Sequence, residues 1–168
     1  MRRFQIDLTV DGASHALEVE PRMTLLDVLR DCCGVPLEDD CAGDCSGACT
    51  VILGDAPVRS CLMFAVQAHG ETITTAFDES STLTRALMIA FAETGAVRCG
   101  GCVPGFVALA AAALARAPNL DDEAIDTLVA GQVCRCGSAQ PIARAIRAAR
   151  DAIRLSSRAT SSAREPAL

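Results

Sequence analysis

Ten of the 168 residues are cysteine, and they are grouped rather than scattered: 32 and 33, then 41, 45, 49 and 61, then 99, 102, 134 and 136. Thiol density of this kind commits a chain either to disulfides or to metal. The opening run Met-Arg-Arg-Phe-Gln-Ile-Asp enters a strand-like pattern with no apolar leader, which predicts a cytoplasmic chain with reduced thiols. Metal binding is then the expected use.

The spacing sharpens this. One group is Cys41-x3-Cys45-x3-Cys49-x11-Cys61, and the other is Cys99-x2-Cys102 followed, after 31 intervening residues, by Cys134-x-Cys136. Four thiolates are what one 2Fe–2S cluster requires, two on each iron. Three close thiols and a fourth beyond a short hairpin suit a cluster better than zinc. The second group alone is also compatible with a structural zinc site. Gly43, Gly47, Gly100, Gly101 and Gly137 provide backbone freedom to turn amides towards an anionic centre. Cys32 and Cys33 are left over and read as core thiols on a helix.

Composition excludes other classes. The net charge is −6, with 21 acidic residues against 15 basic ones, all of them arginine. There is no Trp or Tyr and only 5 Phe. An acidic chain without stacking aromatics is not a nucleic-acid binder. No apolar stretch approaches the ~20 residues of a membrane-spanning helix. Each oxidised cluster with its thiolates adds a charge of roughly −2, on top of the acidic run Glu38, Asp39, Asp40 and Asp44. The first site is therefore expected to have a low potential.

Alanine divides the chain: 7 lie in residues 1–75 and 23 in residues 76–168. In the first part, Phe4, Ile6, Leu8 and Val10 alternate with polar residues, Asp11-Gly12 signals a hairpin, and a return strand follows to Glu20. Thr24 to Asp27 reads as a capping box opening a helix that ends near Gly34. Strands are expected over Thr50 to Leu53, near Val58 and near Ile73, giving a small sheet folded over one helix. Four helices are expected after the break at Asp78 to Ser81. They are marked by Leu83, Leu87 and Phe91; by Phe106, Leu109 and Ala113 behind Pro104; by Ile125, Leu128 and Val129; and by Gln140 to Arg154. Arg144, Arg147, Arg150 and Arg154 are expected on a solvated face of the last helix, with partner docking as the alternative.

Over about residues 3–154 the sequence resembles the small iron–sulfur subunit of the molybdenum hydroxylases, the family of xanthine dehydrogenase, aldehyde oxidoreductase and aerobic carbon monoxide dehydrogenase. The resemblance is carried by Leu25 to Arg30, by Cys41 with Gly47-Ala48-Cys49-Thr50-Val51, by Val58-Arg59-Ser60-Cys61, by Arg98-Cys99-Gly100-Gly101-Cys102-Val103-Pro104-Gly105, and by Cys134-Arg135-Cys136 with Gln140-Pro141-Ile142. It implies an α+β chain. Residues 1–77 would form a β-grasp, plant-type ferredoxin-like domain, and 78–155 an all-α four-helix domain, with 156–168 a flexible tail. It implies two 2Fe–2S clusters: an outer one on Cys41, Cys45, Cys49 and Cys61, and a pterin-proximal one on Cys99, Cys102, Cys134 and Cys136. Cys136 would approach the pterin. The partners implied are a large molybdopterin-binding subunit and a medium FAD-binding subunit. The chain would relay electrons between them and hold no catalytic residue of its own.

The sequence also departs from the family. The first loop runs x3 then x3 instead of the plant-type x4 then x2, with Ser46 where the middle cysteine is expected; Cys45 is the assigned ligand and Ser46 the oxygen alternative. Arg98 replaces a common Gln, Gly101 a common aromatic, and Gly137-Ser138-Ala139 the usual Thr-Gly-Tyr. A free-standing two-cluster ferredoxin or redox sensor is the competing function, and a zinc-stabilised interaction module a third.

Overall fold

The computed structural model describes residues 3–37 and 46–162, the last six of these by their backbone alone. Strands β1 (Phe4–Val10) and β2 (Ala13–Val19) form an antiparallel hairpin in which Val10 faces Ala13. Its two-residue turn needs positive φ at both positions. Asp11 at 47° and Gly12 at 84° supply it. The Asp11 carboxylate then accepts hydrogen bonds from the backbone N–H (2.7 Å) and hydroxyl (2.6 Å) of Thr75, fastening the turn to the end of a later strand.

Helix α1 (Leu25–Asp31) starts at a reciprocal capping box: Thr24 Oγ1 accepts from the Asp27 N–H, and the Asp27 carboxylate accepts from the Thr24 N–H. Strands β3 (Thr50–Leu53), β4 (Ala56–Arg59) and β5 (Thr72–Thr74) complete one five-stranded sheet of order β2-β1-β5-β3-β4. β5 is parallel to β1, and the remaining pairings are antiparallel. The buried side chains of α1 and the sheet form one core, including Leu25, Val28, Leu29, Val51 and Ile73.

The second half contains α2 (Thr82–Glu93), α3 (Val103–Arg116), α4 (Asp122–Ala130) and α5 (Ala139–Ser162). They close on their own core around Phe91, Phe106, Ile125, Ile142 and Ile146. Strand periodicity joins the two cores. Val51 points into the sheet core, while its neighbour Ile52 packs against the helical one. The small side chains of α3, Ala110, Ala111 and Ala112 among them, are buried and leave room for β3 to approach. At the far end of α3, Arg116 donates to the backbone oxygen of Asp55 in the β3–β4 turn at 2.6 Å.

Three expectations are revised. Cys32 is exposed and Cys33 half-buried, because α1 ends at Asp31 and the chain leaves the helix before Cys32 completes the apolar stripe. The last helix continues past Arg154 to Ser162, through the first residues assigned to a tail; residues 163–168 lie outside the described residues. The arginine stripe is mostly engaged within the chain. Arg150 is 9% exposed and donates to Leu120 O, Asp122 and Asp151, Arg147 pairs with Asp122 and Asp126, and Arg154 reaches Pro118 O and Asn119. These contacts clamp α5 onto α4 and the turn before it.

The clamp is pH-dependent with a defined sign. The hydrogen bond from Arg150, helped by the charge of Arg147, holds the Asp122 carboxyl below the usual carboxylate range against a smaller desolvation effect. A pKa lowered by folding contributes stability above the unfolded value of ~3.9, and that contribution is lost as pH falls through the folded value. Protection of the α4 amides, relative to intrinsic exchange at the same pH, is expected to fall below about pH 4, and this acid step should be absent in Asp122→Asn.

Candidate metal centre

The x11 spacing between Cys49 and Cys61 is the length of the β3–β4 hairpin. Thr50 pairs with Arg59 and Leu53 with Ala56, so the residues just outside the ladder, Cys49 and Ser60, are brought together. Ser60, fully buried, donates through its N–H (3.2 Å) and its hydroxyl (2.7 Å) to the Cys49 carbonyl. This leaves the Cys49 and Cys61 Sγ atoms 3.3 Å apart. That is far beyond the ~2.05 Å of a disulfide, so the two sulfurs are in contact without being bonded to each other. Cys41 and Cys45, with Glu38, Asp39, Asp40, Gly43 and Asp44, lie outside the described residues. The Ser46 hydroxyl accepts from the Ala48 N–H at 3.3 Å.

The second set gathers where two helices begin. Cys102 caps the N-terminus of α3, and Cys134 and Cys136 lie in the short link from α4 to α5. Cys99 and Cys136 are exposed, with Sγ atoms 3.3 Å apart. Cys102 is buried and hydrogen-bonds Cys134. The four thiols thus fall into two pairs; no three His, Cys, Asp or Glu side chains among the described residues are grouped to hold a single ion.

The electrostatics fit an anionic sulfur centre. Burial, then the Cys134 side chain, pushes the Cys102 thiol up to about 12, so at neutral pH it carries its proton unless a metal takes its place. Desolvation acts to raise Cys134, but hydrogen bonds from the backbone N–H groups of Ser138 and Cys136 and from the Cys102 and Ser138 side chains together bring that thiol below its ordinary value. Amides aimed at sulfur and helix N-termini both offset negative charge. Gly47, Gly100 and Gly137 take the positive φ expected of them, and Gly101 does not. Soft paired thiols with donor amides are the residues a 2Fe–2S cluster needs.

Two residues at this site were not singled out by spacing. The Arg59 guanidinium lies against Gly47, placing a cation beside the first set. Gln132 is 7% exposed, and neither of its amide atoms has a hydrogen-bond partner among the described residues. Such burial costs about 1–3 kcal/mol for each unpaired group. No sequence signal marks it, since a glutamine two residues before a cysteine reads as an ordinary loop residue.

Residues 72–147, a span that holds Cys99, Cys102, Cys134 and Cys136, match the [2Fe-2S] binding domain family. The chain is 39% identical over 153 residues to the nicotinate dehydrogenase small FeS subunit of Eubacterium barkeri, covering 88% of this chain and 95% of that protein. It is 38% identical over 153 residues to caffeine dehydrogenase subunit gamma of Pseudomonas sp. strain CBB1, covering 88% and 91%. Among solved structures, quinoline 2-oxidoreductase from Pseudomonas putida 86 aligns with a TM-score of 0.81 at 34% identity, over 92% of this chain and 98% of the matched chain. Relatives matched over nearly their whole length and a matching fold agree: the chain belongs to the small iron–sulfur subunits of the molybdenum hydroxylases.

Proposed function

We propose that the chain carries two 2Fe–2S centres and conducts electrons from the molybdopterin site of a large subunit to an FAD-binding medium subunit. The observation that supports this best is the pair of close thiol contacts, Cys49 with Cys61 and Cys99 with Cys136, one in each half. In this reading Cys41, Cys45, Cys49 and Cys61 hold the outer centre, in a β-grasp, ferredoxin-like half comprising residues 1–77. Cys99, Cys102, Cys134 and Cys136 hold the pterin-proximal centre in the helical half, 78–155. Cys45 is favoured over Ser46 because iron in such a cluster takes soft thiolate sulfur in preference to a serine oxygen. A bound cluster supplies reversible one-electron chemistry.

The residues of this chain bind, orient and insulate. Burial of Cys49 and Cys102 keeps water from one side of each set. The exposed Cys99 and Cys136 are flanked in sequence by exposed Val97, Arg98 and Val133 and by half-buried Arg135. This mixed apolar and cationic face suits the large subunit, with Cys136 nearest its pterin. Beside Cys61, Leu62 is 85% exposed, which suits contact with the acceptor subunit. The setting is cytoplasmic, where thiols stay reduced for cluster assembly.

Expression with neighbouring genes, followed by anaerobic purification, tests the proposal. The expected product is a red-brown complex containing molybdenum and flavin, with iron and acid-labile sulfide sufficient for two clusters on this chain. A colourless chain holding zinc would overturn it. A red-brown chain that never associates with larger subunits would instead support a free-standing ferredoxin.

A further inference from the structure

The seam between the two thiol sets is made largely of backbone. Gly47 stands two residues before Cys49, Gly105 three after Cys102, and Gln132 two before Cys134. These three residues meet. A Cβ at Gly105 would overlap the Gly47 carbonyl oxygen and come within 2.7 Å of Gln132 Nε2, and a Cβ at Gly47 would lie 2.8 Å from Gln132 Oε1. The Gly47 carbonyl is itself fixed by the N–H (2.9 Å) and hydroxyl (2.7 Å) of Thr50. The Gln132 amide therefore lies across the line where the first-set loop touches the opening turn of α3.

A leucine would fill this volume with an apolar group of similar reach and no desolvation cost. The chain instead keeps an amide, more than nine-tenths buried and without a partner among the described residues. We infer that Gln132 is a positioning residue for electron transfer between the two sets. Its side chain, packed where the Gly47 loop meets α3, sets the separation and electronic contact of the two centres. The inference rests on the two-centre reading above. The step it serves moves one electron from iron held by the second set to iron held by the first. One is oxidised and the other reduced, and no bond or proton in the seam changes. Tunnelling falls steeply with distance, so small displacements at this joint act on rate.

The test uses the complex purified with its partner subunits, as wild type, Gln132→Leu and the isosteric Gln132→Glu. Iron and sulfide are counted first. A wild type with iron for one centre only overturns this inference together with the two-centre reading. With both centres filled, the joint is read from the magnetic interaction between the reduced centres in low-temperature EPR and from electron equilibration between them. Gln132→Leu is expected to retain its iron, to show an altered interaction and to equilibrate severalfold more slowly. Gln132→Glu, which replaces the Nε2 donor beside the Gly47 carbonyl with a second oxygen, is expected to alter the interaction as well. Should the leucine variant fail to assemble, Gln132→Asn, one methylene shorter, carries the test with the same readouts and the same expectation. Wild-type interaction and equilibration in the deciding variant overturn the inference while leaving two centres standing; a merely structural glutamine would lower thermal stability and produce that result.

Discussion

Gly105→Ala is expected to destabilise the chain by about 3 kcal/mol, at the upper end of the range for overpacking. The new methyl group would overlap the carbonyl oxygen of Gly47. That oxygen belongs to backbone held by Thr50 and cannot swing aside as a side chain would. Relief requires α3 to lift from β3, which would uncover Ile52 and the alanines beneath it. Gly131→Ala provides the contrast. Gly131 has φ −74°, and a Cβ there would find its nearest neighbour at 3.4 Å. Its effect is expected within about 0.5 kcal/mol of wild type. Denaturant unfolding of both variants measures the difference, and equal stabilities would refute the close approach at Gly105.

Cys102→Ser is expected to remove half of the iron and half of the acid-labile sulfide, with one of two EPR signals and about half of the visible absorbance. Cys102 is the buried member of its set and is hydrogen-bonded to Cys134, so no neighbouring thiol can take its place. Cys32→Ser, at an exposed position beyond the end of α1, should leave all four quantities unchanged. In the first set, Cys45→Ser should cost the other half and Ser46→Ala nothing. The reverse outcome would transfer that ligand to Ser46. Loss of the same signal in Cys102→Ser and Cys45→Ser would show that the sets do not serve separate clusters.

Much of this was readable from residue order. Alternation over Phe4 to Val10, the Asp11-Gly12 turn and the Thr24–Asp27 box are local signals, and local physics decided those elements. The x11 interval between Cys49 and Cys61 implied a hairpin, which the Thr50–Arg59 pairing realises. Non-local features were not readable in this way. Arg150 follows the same spacing as a solvated stripe, and only the fold brings Leu120 and Asp122 to it. Cys32 obeys the helical period of Leu25 and Val28, but the helix stops one residue short of it. The meeting of Gly47, Gly105 and Gln132 joins three segments distant in sequence, and no periodicity encodes such a meeting.

Strand β3 answers to two interiors, through Val51 on one side and Ile52 on the other. Modules strung on a linker can be shuffled between genes, each bringing its own stability. Here a recombination breakpoint at Asp78–Ser81 would hand over four helices deprived of one wall. Separated there, each piece would expose apolar surface that the other now covers, so the halves are worth more to one another joined than apart.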